Sequence, residues 1–494
     1  MRKIDRAQIR QSVAKYFKWA MFSHTWEGKE PTLRDVNLVD SVWKLDDSLL
    51  NVKLRQFCTT ASKDYRWAWS DTCCIDKETS AILSQSLIAM YTWYEKASET
   101  VVYLADVLSS AELSDLALTN SQWMTRAWTL QELLASKVIR FYNRDWKLYL
   151  NDTHANHKES PTIKQELAKA MGVAPETITS FQPEDLGVRE KLRLASTRSA
   201  TVEEDIAYSL LGIFSSNIVP RYGLGKKALG ELLENIVART GDVTVIAWTG
   251  KSLPYNSALP DSLAVYRQAP YSPPPMEDDE LETCVEQLRT HLAPEDGLAF
   301  YCLVTQLPRA TFSNGCLQLP CIVFYATKIG VQELDSSRGN LYHATVSLLG
   351  KVEFRTTDMI PLKQPRKLVF VHPWLRNLRD PLDGFISDDI PESESDVGSS
   401  NEAEDSDAGS SDTQWHDALT AVSPLDAKPS PRLDRSTLAL RLIARLGRPF
   451  NALLLEQQPN GQYKRLAAKH EIIVPGVPYQ TTPKDIKLKV VEII

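Results

Sequence analysis

The sequence predicts an α/β protein: a parallel sheet covered by helices on both faces, followed by a smaller β-rich half. Three observations lead there. Apolar runs near Met21, Trp67, Val102 and Ile139 alternate with stretches whose apolar residues recur at spacings of three and four. Parallel strands need crossover connections, which helices supply, so this alternation implies a parallel sheet rather than a meander. Beyond Pro275 the pattern changes to short runs rich in β-formers, with an Asn314-Gly315 pair suited to a two-residue hairpin turn.

Lys18–Trp26, KWAMFSHTW, reads as the first strand, with Ser23, His24 and Trp26 in its exit loop. A helix is expected over Asp40–Cys58, where Val42, Leu45, Leu49, Leu54 and Phe57 share a face. Tyr65–Ser70 forms the second strand and runs into a loop bearing Asp71 and Asp76. Leu83, Leu87, Met90, Tyr91 and Tyr94 mark the next helix, and Val101–Leu104 a third strand ending at Asp106. Ser121–Asp145 is then one helix followed by the strand Val138–Tyr142. In that helix Trp123, Ala127, Leu130 and Leu134 form the core face, while Thr125, Trp128 and Glu132 fall together on a neighbouring one. Glu132 thus follows an indole by one turn. A carboxylate beside a large apolar ring loses hydration, so its pKa should rise; the plainer reading is a solvated glutamate next to a core tryptophan. Ligands of such sheets bind beyond the strand C-termini, where His24, Asp71, Asp76 and Asp106 gather.

The chain has 494 residues, enough for two or three domains. Its net charge of −7 argues against a nucleic-acid binder, which would show a basic face. Seven cysteines, odd in number and without a CxxC, read as reduced thiols of a cytoplasmic protein. His154 and His157 lack thiol or carboxylate partners at ligand spacing, so no metal is expected. The charged N-terminus lacks a signal core and no apolar run suffices for a span, so no membrane association is expected.

Four blocks in order, FSHTWEGKEPTLRDV, YRWAWSDTCCIDKETSAILSQSLIAMYTWYEKASETVVYLADV, WMTRAWTLQELLASKVIRFYNRDW and STRSATVEEDIAYSLLGIF, strongly resemble the fungal heterokaryon-incompatibility (HET) domain, in a form typical of mushroom-type fungi (basidiomycetes). HET domains in turn look like distant relatives of TIR domains. The resemblance therefore implies a TIR/flavodoxin-like parallel sheet over about 16–145, a helical extension over about 146–250, and a HET domain over 1–250. The block Trp128-Thr129-Leu130-Gln131-Glu132-Leu133 is similar to the WCLDEL block of plant TIR domains, whose glutamate is catalytic in NAD cleavage. By this analogy Glu132 is the catalytic candidate, with His24, Trp26, Asp71, Asp76 and Trp128 lining a substrate site. Trp26 is followed by Glu27-Gly28 where the commoner HET pattern has glycine directly.

Further along, Thr201-Val202-Glu203-Glu204 reads as a capping box opening a helix over Asp205–Phe214. The Arg221–Lys227 loop, with Gly223 and Gly225 before a helix, offers amides to a phosphate or is an ordinary turn. Val243–Trp248 is expected as a strand, 251–275 as a proline-rich linker, and 276–494 as the β-rich domain, including runs at Leu298–Val304 and Leu438–Ile443. An acidic, serine-rich insert at 387–431 has too few apolar residues to offset the ~1–2 kcal/mol per residue of backbone ordering. Its deletion should therefore leave the thermal transition of the chain nearly unchanged, as differential scanning calorimetry would register; a large drop would mean that it packs.

Two functions stay open on these residues. One is a death-signalling enzyme with no resident cofactor that cleaves NAD as its substrate. The other is a non-enzymatic module of self/non-self recognition that self-associates when a protein partner is sensed. A metabolic nucleotide enzyme is disfavoured by the missing phosphate loop.

Overall fold

A computed structural model describes residues 12–13, 15–108, 117–333, 339–360, 362–374 and 434–494, the side chains of Leu49, Leu50 and Glu333 excepted. The acidic insert at 387–431 lies outside the described residues. The first sheet consists of β1 (Trp19–His24), β2 (Trp67–Trp69), β3 (Glu99–Tyr103) and β4 (Ile139–Tyr142), all parallel and ordered β2-β1-β3-β4. These are the four strands expected near Met21, Trp67, Val102 and Ile139. The order reverses between β1 and β3, so the ends of these strands beyond His24 and Tyr103 are where sheets of this kind bind ligands.

Side chains alternate across a strand, so each face of β1 meets a different helix layer. Ala20 and Phe22 join Val101 and Tyr103 against Leu54, Phe57 and Ala61 of α1 (Leu49–Ala61). Met21 turns to the other face, against Met90 and Tyr94 of α2 (Ser80–Lys96). The helix expected from Asp40 begins only at Leu49, because Ser48 caps it by accepting from the Asn51 amide. The helix after Ser121 is also divided. It runs as α3 (Gln122–Thr125) and α4 (Ala127–Ala135), with Arg126 extended at φ −76°, ψ 140°. The cause is a backbone bridge: the Ala127 amide donates to Ser199 O at 2.8 Å and the Ser199 amide to Thr125 O at 2.7 Å.

The helical extension comprises α5 (Pro161–Met171), α6 (Pro175–Ser180), α7 (Val188–Ala195) and α8 (Lys227–Thr240). The helix expected over Asp205–Phe214 shrinks to Asp205–Tyr208, followed by turns. Glu204 does not reach back to cap it. Its Oε1 accepts from the amides of Gly223 and Gly225, both at 2.8 Å, so the amides that might have held a phosphate are taken by the chain's own carboxylate. Val243–Ile246 is a 3-10 turn rather than a strand, since Asp242 accepts from the Thr244 amide and starts it.

Residues 251–275 contain the hairpin β5 (Ser252–Leu253) and β6 (Asn256–Pro260), and Tyr266, fully buried, donates to Val245 O at 2.7 Å. The prolines suggested a linker, but Ala258, Leu259 and Leu263 between them enter the core. The C-terminal sheet has β7 (Thr311–Ser313), β8 (Cys316–Glu333), β9 (Asn340–Val346), β10 (Gly350–Thr356), β11 (Leu368–Pro373), β12 (Phe450–Gln457), β13 (Tyr463–Arg465), β14 (Ile472–Val474) and β15 (Lys487–Ile493). Asn314 and Gly315, at φ +51° and +74°, make the expected primed turn between β7 and β8. Strands β8, β11, β12, β13 and β15 pair in a closed ring. Leu298–Val304 and Leu438–Ile443 are helical instead, in α10 (Pro294–Thr305) and α11 (Arg435–Leu446), which pack with α9 (Asp278–His291). Short apolar runs do not separate buried helix from strand.

The two faces of β8 divide the molecule. Ile322 and Phe324 meet the helices α9–α11, while Cys321 and Val323 join a core that runs without a break to Val102 and Phe141 of the first sheet. No helix among the described residues is long and apolar enough to cross a membrane.

Candidate active site

Glu132 lies in α4, with Gln131 and Leu133 buried beside it, and is itself only 5% exposed. Ser23 of β1 is on the sheet face turned toward α4, and its hydroxyl donates to Glu132 Oε2. The same hydroxyl accepts from Trp123 Nε1 at 2.7 Å, so indole, serine and carboxyl form a chain that leads from the core to the acid. Tyr94 of α2 closes the pocket, its hydroxyl donating to Phe22 O at 2.8 Å beside the carboxyl. The helix end is pinned as well: Ser136 donates to Glu132 O at 2.7 Å and accepts from the Thr100 hydroxyl at 2.6 Å.

Burial dominates the electrostatics. It pushes the Glu132 carboxyl up to about 8, with the nearby Asp71 charge adding to the rise and the Ser23 bond, Arg126 and Arg198 working against it. Arg198 forms no bond to the acid; it donates to Thr129 Oγ1 at 2.8 Å and to Arg126 O at 3.2 Å. Glu132 therefore holds its proton near neutral pH, and an approaching cation would favour its release.

The other candidates divide. Trp26, 44% exposed, donates from Nε1 to Asp71 Oδ2 at 2.9 Å, with the Lys77 ammonium 3.8 Å above its ring. This joins the loops that follow β1 and β2, and burial holds the Asp71 carboxyl up at about 6. His24 points to the opposite sheet face from Ser23, stacked on Phe22 at 4.2 Å, with both ring nitrogens buried and unpartnered. Burial, and after it the charges of Lys53, Lys77 and Arg126, keep it neutral. Asp76 is used in a turn, accepting from the Glu78 amide and the Thr79 hydroxyl. Trp128 is half-buried and its ring packs against the core. The Asp205 carboxylate accepts from Tyr222 at 2.8 Å.

Sequence reasoning placed Trp123 and Tyr94 in the core, where they are, and so missed their polar ends. A buried indole N–H or phenol needs a partner, and that rule is the signal that could have sent both toward Glu132. A cavity of about 360 Å³ lies elsewhere, on the outer side of α2 between Tyr91, Glu95 and Leu211.

Comparison with known proteins adds to this geometry. Residues 19–118 match the model of the family described as heterokaryon incompatibility protein (HET). That stretch contains Ser23, Asp71 and Tyr94 and ends before Glu132. Over 228 residues, 44% of this chain, the sequence is 33% identical to the vegetative incompatibility protein HET-E-1 of Podospora anserina. The match spans 16% of that relative's length. No solved structure matches.

Proposed function

We propose that this chain, a fungal HET-domain protein, acts in heterokaryon incompatibility and regulated cell death by cleaving the nicotinamide–ribose bond of NAD. The observation that carries the reading is the Glu132 carboxyl, held by Ser23 and Tyr94 at the carboxyl edge of a parallel sheet ordered β2-β1-β3-β4. That strand order also supports the TIR/flavodoxin-like reading of the sheet.

In this chemistry the C–N bond breaks with its electron pair leaving on nicotinamide. The ribosyl centre becomes oxocarbenium-like, water adds to it, and a proton departs. The protein's task is to place negative charge beside the ribose. The pyridinium of bound NAD is the cation that draws the proton off Glu132, so the charge forms where the transition state uses it. Asp71 and Trp26 hold the loop edges that a nucleotide would meet.

A second reading, a non-enzymatic module that self-associates on sensing a protein partner, is favoured by one observation: Glu132 is closed off in this conformation. Incubating the purified full chain with NAD and following nicotinamide by chromatography separates the two. Time-dependent release in proportion to protein is expected; no release at high protein and NAD concentration would leave the recognition module.

A further inference from the structure

The cavity on the outer side of α2 takes no part in the NAD-cleaving reading. Ile88, Tyr91, Thr92 and Glu95 recur at spacings of three and four, so they form one stripe on the helix, apart from Met90 and Tyr94 in the core. Pro183, Leu211 and Ser216 stand across from this stripe, and the space enclosed is about 360 Å³. That is the small end of the ~300–1,000 Å³ range of small-molecule sites. The far wall is fixed by its own contacts. A Cβ at Gly212 would fall 2.1 Å from the Tyr91 Cβ, so only glycine lets this wall come so near the ring. The Ser216 hydroxyl donates to Asn235 Oδ1 of α8 at 2.9 Å, and Arg239 of α8 donates to the carbonyls of Phe214, at 3.1 Å, and Ser215.

We propose that this cavity is a binding site for a small organic cation, an ammonium or guanidinium carried on an apolar body. Ile88, Pro183 and Leu211 supply the apolar wall, and Ile88 is still 43% exposed. The Tyr91 ring supplies an aromatic wall, to which a cation is drawn by the ring quadrupole. The charge comes from Glu95. Neither its carboxylate nor the Tyr91 hydroxyl has a hydrogen-bond or ion-pair partner among the described residues. Lys191 does not fill that role: its ammonium lies 5.5 Å over the Phe214 ring and is influenced by Glu184 rather than Glu95. The field at the cavity is negative, and the Tyr91 phenol registers it. Burial first, and then the charges of Glu95 and Glu184, push that phenol up to about 12. Other ligand classes fit less well. An anion would meet Glu95, and one carboxylate falls short of the roughly six or more oxygens that calcium or magnesium takes. The assignment does not depend on the NAD-cleaving reading.

Phenethylammonium, a phenyl ring two carbons from an ammonium, is the probe, and 2-phenylethanol is its neutral counterpart of similar size. Dissociation constants of both would be measured on the full chain by ligand-observed NMR at low salt. A partly exposed ion pair and a cation–π contact together are worth about tenfold in affinity, so the ammonium should bind about tenfold more tightly than the alcohol. Glu95→Gln keeps the shape of the wall and should remove most of that preference, with the circular dichroism unchanged. Thr92→Lys, on the exposed side of the stripe, places the chain's own ammonium one turn from Glu95 and should likewise abolish the preference. A chain of net charge −7 attracts cations at many places, which makes these variants decisive. A preference that persists in both variants would place the cation elsewhere and overturn the proposal, as would equal binding of the two probes or no saturable binding of the ammonium to the wild type.

Discussion

Glu132→Gln should make the chain more resistant to unfolding at pH 8 than the wild type, and no different at pH 4. Burial holds the Glu132 carboxyl at about 8, against ~4.3 for a glutamate in an unfolded chain. Between these values the folded state keeps a proton that the unfolded state has released. The stability linked to this group is thus complete below about pH 4 and is lost as pH rises through 8. For a shift of this size the loss approaches about 5 kcal/mol, a large part of a typical folding free energy. Glutamine has nearly the same shape, still bonds Ser23, and does not ionise. Asp71, held up at about 6, leaves a smaller slope in both proteins. Urea midpoints measured from pH 4 to 8 give the test: the curves should diverge as pH rises, and parallel curves would show that the acid does not carry this strain.

The second large effect lies at Arg465, in β13. Its guanidinium is 5% exposed and donates to the carbonyls of Ile246 at 2.8 Å, Trp248 at 2.6 Å and Ala258 at 3.4 Å. It also lies 3.7 Å over the Trp248 ring. One side chain therefore fastens the C-terminal sheet to the 243–260 segment that follows the helical extension. Arg465→Met keeps the apolar stem but removes the bond to Trp248 O, at ~1–3 kcal/mol for an acceptor left alone, and one bond each from Ile246 O and Ala258 O, which keep the Trp248 amide and indole as donors. Relief from burying a lone charge offsets part of this. A net loss of about 3 kcal/mol is expected, read as a fall in the denaturant midpoint at unchanged slope. An unchanged midpoint would mean that the desolvation of the guanidinium cancels its bonds.

The fold was legible in the sequence where pattern and period agree. The four parallel strands and the Asn314-Gly315 hairpin were each marked by local residue choice. What escaped depends on partners distant in the chain. Arg126 interrupts a continuous helical pattern because Ser199, 73 positions on, bridges its neighbours. Glu204 has the spacing of a cap but serves Gly223 and Gly225 instead. The prolines of 251–275 obscured a hairpin whose apolar residues complete a core shared by both halves. At the candidate site, Glu132 was singled out from its spacing and from the resemblance of its block to that of plant TIR domains, while Ser23 was placed only among the polar residues at the strand C-termini, without a partner. The pleat of β1 decides which of Ser23 and His24 reaches the acid, and a single register step exchanges them. Trp128 was expected one turn before Glu132 by helical spacing, and its ring packs against the core.

Nicotinamide release by wild type and Glu132→Gln, compared at equal protein concentration in one NAD assay at pH 7, tests the central claim most directly. The wild type should release nicotinamide and the variant should do so at least ~100-fold more slowly, the scale lost when a transition-state charge is removed. Release at the same rate from both proteins would contradict it, and Glu132 would then be a buried acid of the fold and nothing more.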